Sequence, residues 1–287
     1  MSVGAVQRVG IILEMIKFEH TVFALPFALA SALVAANGLP AWRTLGWILV
    51  AMVGARSAAM AFNRIADARL DALNPRTADR ALPKGLVSMG AAWALTLASA
   101  GVLVLAAHML NPLAFALSPV ALLTVLTYSY SKRFTSLSHL WLGLCLGIAP
   151  VGAWVAVRGE IGFPSMVLSA AVILWTAGFD IIYSLQDLDF DRRTGLVSLP
   201  ARIGAGRALL VSRLFHAGTI ALLAWFGVLC GMGTFYYAGV MLAALSLVYE
   251  QSIVSANDIS RVNAAFFTAN GFVSLAVLAF VAADVLL

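Results

Sequence analysis

Residues 165–191 read Ser165-Met-Val-Leu-Ser-Ala-Ala-Val-Ile-Leu-Trp-Thr-Ala-Gly-Phe-Asp180-Ile-Ile-Tyr183-Ser-Leu-Gln-Asp187-Leu-Asp-Phe-Asp191. An uncharged, mostly apolar run gives way to a string of carboxylates. A helix needs about 20 apolar residues to cross a bilayer, so this segment reads as a span at 165–185 that ends at the membrane surface. Stretches of similar character lie at 12–36, 43–62, 87–108, 112–130, 138–157, 208–230, 234–253 and 264–286. Together they predict an all-α polytopic membrane protein of about nine transmembrane helices, read as one domain over 1–287.

The composition agrees. Of 287 residues, 62% are apolar and 11% charged, with a mean hydropathy of +0.96. An ordinary soluble domain carries roughly 25% charged residues, so a soluble enzyme, a disordered chain and a secreted disulfide scaffold are all excluded. Cys145 and Cys230 sit inside apolar runs and read as small core residues. Arg8 and Lys17 ahead of an apolar run imitate a signal peptide, but Glu14, Glu19 and His20 interrupt it and many more spans follow.

A net charge of +5 implies no nucleic acid in a chain of this class, because the basic residues follow the turns. Arg64, Arg69, Arg76, Arg80, Lys84, Lys132, Arg133, Arg192, Arg193, Arg202 and Arg207 fall at alternate connections, while Arg43 and Arg158 fall on the opposite side. The positive-inside rule then puts the N-terminus in the cytoplasm and the C-terminus outside.

Seven of the 13 acidic residues cluster at two of the basic connections, in regions 63–86 and 180–207. In the first, Asn63, Asp67 and Asp71 are four apart and share a face if the helix continues past the lipid. In the second, Tyr183, Asp187 and Asp191 repeat that spacing, and Asp180 lies seven before Asp187. The pairing hints at an internal duplication. Carboxylates four apart repel one another and call for a compensating cation. An all-oxygen donor set suits Mg2+, which typically takes one or two carboxylates together with phosphate oxygens. With Arg and Lys on the same side, the chemistry is that of a diphosphate-bearing substrate.

Arg56 lies inside the second span, seven residues before Asn63 and on its face. Charges at such depth usually face the bundle interior, where Arg56 either receives an anionic group such as an aromatic carboxylate or pairs structurally. Lys17 reads either as a substrate contact or as a snorkelling lysine. His20, His108, His139 and His216 share no metal-binding spacing.

At these residues the chain resembles the UbiA family of intramembrane prenyltransferases. Asn63-x3-Asp67-x3-Asp71 looks like the family's first motif and Asp187-x3-Asp191 like its second. The stretches Asn74-Pro75-Arg76-Thr77 through Arg80 to Pro83, Tyr128-x3-Lys132-Arg133, and Gly195-Leu-Val-Ser198 are also similar. The resemblance implies a bundle around a central cavity with cytoplasmic capping loops, in the bacterial inner membrane. It implies a Mg2+-assisted transfer of a polyprenyl chain from its diphosphate to an aromatic ring. By position, Asn63, Asp67, Asp71, Asp187 and Asp191 would hold the metal. Lys17, Arg64, Arg80, Lys132 and Arg133 would hold the diphosphate, and Arg56, Tyr128, Asp180 and Tyr183 would serve the acceptor. The stretch from Tyr183 to Pro200 looks closer to the 4-hydroxybenzoate polyprenyltransferase branch, which makes ubiquinone or, in a variant, menaquinone, than to haem- or chlorophyll-making relatives. A dihydroxynaphthoate-type ring is the alternative acceptor. From another class, a transporter would also carry intramembrane charge and a duplication, but its polar groups are expected at the midplane and not at span ends. Chain length and oligomeric state are not set by these residues.

Overall fold

The computed structural model describes residues 5–16 and 21–287. The helices are α1 (Ala5–Met15), α2 (Thr21–Ala36), α3 (Trp42–Leu73), α4 (Met89–Leu110), α5 (Pro112–Ser131), α6 (Ser138–Arg158) and α7 (Phe163–Ser184). After these come α8 (Leu188–Thr194), α9 (Leu199–Ile203), α10 (Ala205–Leu229), α11 (Thr234–Ser252) and α12 (Val262–Leu286), the last with one wide π turn at Ala265–Ala269. Among the described residues, α3 to α7, α10 and α12 are long and apolar enough to cross a bilayer, and α2 supplies a shorter apolar rod. With α11 they account for the nine spans expected.

Two boundaries differ from the sequence reading. The expected first span, 12–36, is two helices, α1 and α2. The sequence between them holds Lys17, Glu19 and His20, which lie outside the described residues. The second span does not stop at residue 62, because α3 runs for 32 residues to Leu73. At 1.5 Å per residue it is about 48 Å long, well beyond the ~30 Å hydrocarbon layer. The excess carries the first acidic motif clear of the apolar zone.

Short connections make successive helices antiparallel. The turn between α4 and α5 shows how: Asn111 accepts the Ala114 N–H at 2.8 Å and so caps α5, while Pro112 starts the helix where no amide donor is needed. Every second helix therefore points the same way, and the C-terminal ends of α3, α5 and α7 meet at one end of the bundle.

The surface is apolar and the interior carries polar groups. Leu97, Val120, Leu123, Leu214, Val228, Met241, Leu245 and Val248 are all more than half exposed, as suits side chains facing lipid. Without a hydrophobic drive between helices, close packing depends on small residues. At Gly54 a methyl group would stand 2.8 Å from the backbone of Leu103, which is how α4 lies flush on α3. Gly143 likewise lets α6 approach Ile173 of α7. The most buried helix is α7. Its Trp175 and Phe179 rings meet edge-on at 4.9 Å, and Phe179 meets Phe266 of α12 at 5.2 Å, with Phe23 and Phe27 of α2 against them. Edge-to-face pairs of this kind are favourable beyond the area they bury, and they fix the height of α7 relative to α2 and α12. Cys145 and Cys230 are half-buried free thiols.

Candidate active site

The extra turns of α3 place Asn63, Asp67 and Asp71 along one face, and Asn63 donates to Asp67 at 2.8 Å. The chain leaves the helix at Asn74, whose backbone turns extended. Its side-chain oxygen accepts the Arg76 N–H at 3.0 Å, an Asx turn that folds Arg76 back over the helix end. Thr77 hydroxyl donates to the Asp71 carbonyl at 3.1 Å and secures the same turn.

The second motif forms differently. After α7 the chain tightens into a single 3₁₀ turn, Leu185–Asp187, and resumes as α8. Gly195 then ends α8 at φ +73, a left-handed conformation that costs a side-chain-bearing residue roughly 1–2 kcal/mol. That is why the Gly195-Leu-Val-Ser198 stretch begins with glycine. Beyond it, Val197 N–H donates to the Lys132 carbonyl at 2.7 Å and ties this loop to the end of α5.

Between these parts lies a pocket of about 190 Å³. Its walls include Asn63, Asp67, Asp71, Arg80, Tyr128, Lys132, Arg133, Asp180, Tyr183, Asp187 and Asp191. These are residues singled out in the sequence from three separate regions. The acidic groups are met by guanidinium groups. Arg76 grips Asp187 with two hydrogen bonds, Nε to Oδ1 at 2.8 Å and Nη2 to Oδ2 at 2.5 Å. Asn74 adds a third to the same carboxylate at 3.0 Å. Arg80 binds Asp71 at 2.7 Å and Arg133 binds Asp67 at 3.3 Å. Burial works against the Arg76 charge, but its hydrogen bonds and attraction to Asp187 outweigh that and raise its pKa above the ordinary arginine value. The Arg76–Asp187 pair stitches the first loop to the second motif.

The pocket carries five carboxylates (Asp67, Asp71, Asp180, Asp187, Asp191) against four cations (Arg76, Arg80, Lys132, Arg133). One oxygen each of Asp71 and Asp191 is buried without a hydrogen-bond partner. Orphaned buried carboxylate oxygens are costly, and with Asn63 as a neutral oxygen donor they suit a hard divalent cation. Among the described residues, no three carboxylate, His or Cys side chains converge on one point. Both motifs line the pocket, the first paired with Arg80 and Arg133 and the second with Arg76.

Two described candidates, Arg64 and Arg56, lie off this lining. Arg64 is buried and donates to the Met15 carbonyl at the end of α1, at 3.2 Å. One residue past Asn63 is about 100° around the helix, so Arg64 turns toward α1 and off the pocket lining, although its Nη1 still donates to the Asn63 amide oxygen at 3.5 Å. Arg56 lies two turns deeper in α3, off the pocket wall. Lys17 is outside the described residues. Conversely, Asn74 and Arg76 line the pocket without having been singled out as site residues, although the Asn74-Pro75-Arg76 stretch had looked family-like. His139, to which no role was given, is buried at 2.6 Å from Asp180.

A membrane bundle whose helix ends gather carboxylates and guanidinium groups around one pocket is the architecture of an intramembrane prenyltransferase. The chain belongs to the UbiA prenyltransferase family, whose profile matches residues 24–275. It is 34% identical to the 4-hydroxybenzoate octaprenyltransferase of Vibrio atlanticus (strain LGP32) over 249 residues, 86% of each chain. Its fold is similar to that of a UbiA homolog from Aeropyrum pernix K1, with a TM-score of 0.80 and 37% identity over 93% of this chain and 96% of that one. A UbiA homolog from Archaeoglobus fulgidus, solved with DMAPP and Mg2+, shares the fold at a TM-score of 0.76 and 19% identity, covering 96% of this chain and 98% of that one. The protein is a membrane prenyltransferase.

Proposed function

We propose that this enzyme moves a polyprenyl chain from a polyprenyl diphosphate to a ring carbon of 4-hydroxybenzoate, in quinone biosynthesis at the bacterial inner membrane, with the pocket facing the cytoplasm. The observation that carries this reading is the pocket itself, where two acidic motifs and four cations share one space at the end of an apolar bundle. The similarity to 4-hydroxybenzoate octaprenyltransferases supports the choice of acceptor and of a long chain.

Asn63, Asp67, Asp71, Asp187 and Asp191 would hold Mg2+, which when bound supplies positive charge to offset the departing diphosphate. The chain's own cations act alongside. Arg76, Arg80, Lys132 and Arg133 bind diphosphate oxygens, and such charge-assisted bonds strengthen as charge develops on the leaving group. The prenyl C1–O bond breaks and its electron pair leaves with the diphosphate. A ring carbon of the acceptor bonds to C1, and the ring then loses a proton. Asp180, in the pocket wall beside Tyr128 and Tyr183, takes that proton. Arg56, deeper in the span, receives the acceptor's carboxylate. The apolar bundle excludes water that would otherwise capture the allylic carbon.

The reading is tested with Asp67→Ala and Asp187→Ala. Each should abolish transfer while the protein still purifies as a folded species, and EDTA should silence the wild type reversibly. Near-normal turnover in either variant, or in wild type stripped of metal, overturns it.

A further inference from the structure

His139 stands in the first turn of α6, 2% exposed, with no place in the chemistry so far. Its Nδ1 lies 2.6 Å from Oδ2 of Asp180 on α7. Its Nε2 accepts the backbone N–H of Leu199, at the start of α9, at 3.3 Å. An amide N–H only donates, so Nε2 must be the unprotonated nitrogen and the ring proton sits on Nδ1. His139 therefore donates to Asp180, and the hydrogen-bond network fixes its tautomer. The segment that supplies Leu199 is docked at two further points on the connection leading into α6. Val197 N–H donates to the Lys132 carbonyl at 2.7 Å, and Arg202 donates to Ser136 at 3.1 Å. One imidazole thus joins the pocket wall to the loop that follows the second acidic motif.

We propose that His139 is a positioning residue of the transfer reaction: it aims the Asp180 carboxylate into the pocket and makes that aim depend on the docked loop. The inference rests on the reading of Asp180 as the group that takes the acceptor's proton. A carboxylate on a helix swings about two side-chain torsions, and a bond from a buried donor removes that freedom. The ring proton released when C1 bonds to the acceptor then passes to Asp180, while the C1–O electron pair has already gone with the diphosphate. When the segment around Leu199 is undocked, Nε2 loses its partner, the tautomer is no longer held, and Asp180 loses its fixed donor. The base is thereby assembled only when the second loop is in place.

Two isosteric replacements separate the two bonds of the imidazole. In His139→Asn the amide nitrogen stands near the position of Nδ1 and keeps the donor to Asp180. In His139→Gln the amide oxygen stands near Nε2 and keeps only the acceptor for Leu199. With purified enzyme, prenyl diphosphate and 4-hydroxybenzoate, His139→Gln should lower kcat about ten- to a hundredfold, the range of one hydrogen bond to a charged group. The KM for prenyl diphosphate should stay within about twofold, and His139→Asn should recover kcat to within about threefold of wild type. Asp180→Asn combined with His139→Gln should be no slower than Asp180→Asn alone, because both act on one group. Wild-type kcat in His139→Gln with a slow Asp180→Asn overturns the proposal and leaves the reading of Asp180 standing. Wild-type kcat in Asp180→Asn overturns both. Equal losses of melting temperature in the Asn and Gln variants, with unchanged kcat per folded molecule, assign His139 to the scaffold and also overturn it.

Discussion

Arg76→Ala should have opposite effects on the two ligands of the pocket. In the structure Arg76 holds Asp187 by two hydrogen bonds and lies 5.5 Å from the centre of the Tyr183 ring. A cation that takes Asp187 as a ligand must first displace this guanidinium. Hydrogen bonds to charged groups are worth about 1.5–3 kcal/mol. The pair is partly exposed, with side-chain exposures of 32% and 10%, so solvent screening holds the pair as a whole to about 2–3 kcal/mol. At 1.4 kcal/mol per tenfold, removing that competition should tighten Mg2+ binding by about 30- to 140-fold. Prenyl diphosphate loses a cationic partner, and its KM should rise by about tenfold or more. The first quantity is read by titrating Mg2+ calorimetrically into purified protein free of diphosphate, and the second by steady-state kinetics at saturating Mg2+. Arg76→Lys, which keeps the charge without the fork, should fall between on both scales. Mg2+ affinity that is unchanged or weakened in Arg76→Ala would refute the competition, and with it the placing of Asp187 among the metal ligands.

Arg56→Gln should raise the KM for 4-hydroxybenzoate by about tenfold, the loss of one charge-assisted hydrogen bond, with little change in the KM for prenyl diphosphate. An equal loss for both substrates together with a lower melting temperature would make Arg56 a structural residue. Single cysteines at positions 75 and 195 should react with an impermeant reagent only from the cytoplasmic side, and one at position 160 only from outside. Labelling of 75 and 195 from opposite sides would separate the two motifs and break the account.

Much of this was legible because lipid imposes simple periodicities. Spans of fixed length gave the helix order, and a four-residue repeat placed Asp67 over Asp71. The pocket shows both to be lining one space. What the sequence left out depends on contacts distant along the chain. His139 is a lone histidine at the start of an apolar run, and its partner is 41 residues away. No spacing rule connects the two. Arg76 sits in a loop, where the aim of a side chain is set by an Asx turn and not by a period. Arg64 lies off the pocket lining for a local reason: adjacency in sequence to Asn63 turns it about 100° around the helix.

In the proposed reaction a ring carbon of an aromatic acid receives the prenyl chain in this pocket. The direct measurement uses purified protein in lipid vesicles with ring-labelled 4-hydroxybenzoate, polyprenyl diphosphates of graded length and Mg2+, followed by product mass and fragmentation. The expected product keeps both hydroxyl and carboxylate, carries one prenyl chain on carbon, and forms with one diphosphate released per ring. EDTA should stop it and Mg2+ should restore it. Release of diphosphate with no ring adduct, or a chain attached through oxygen, would contradict it.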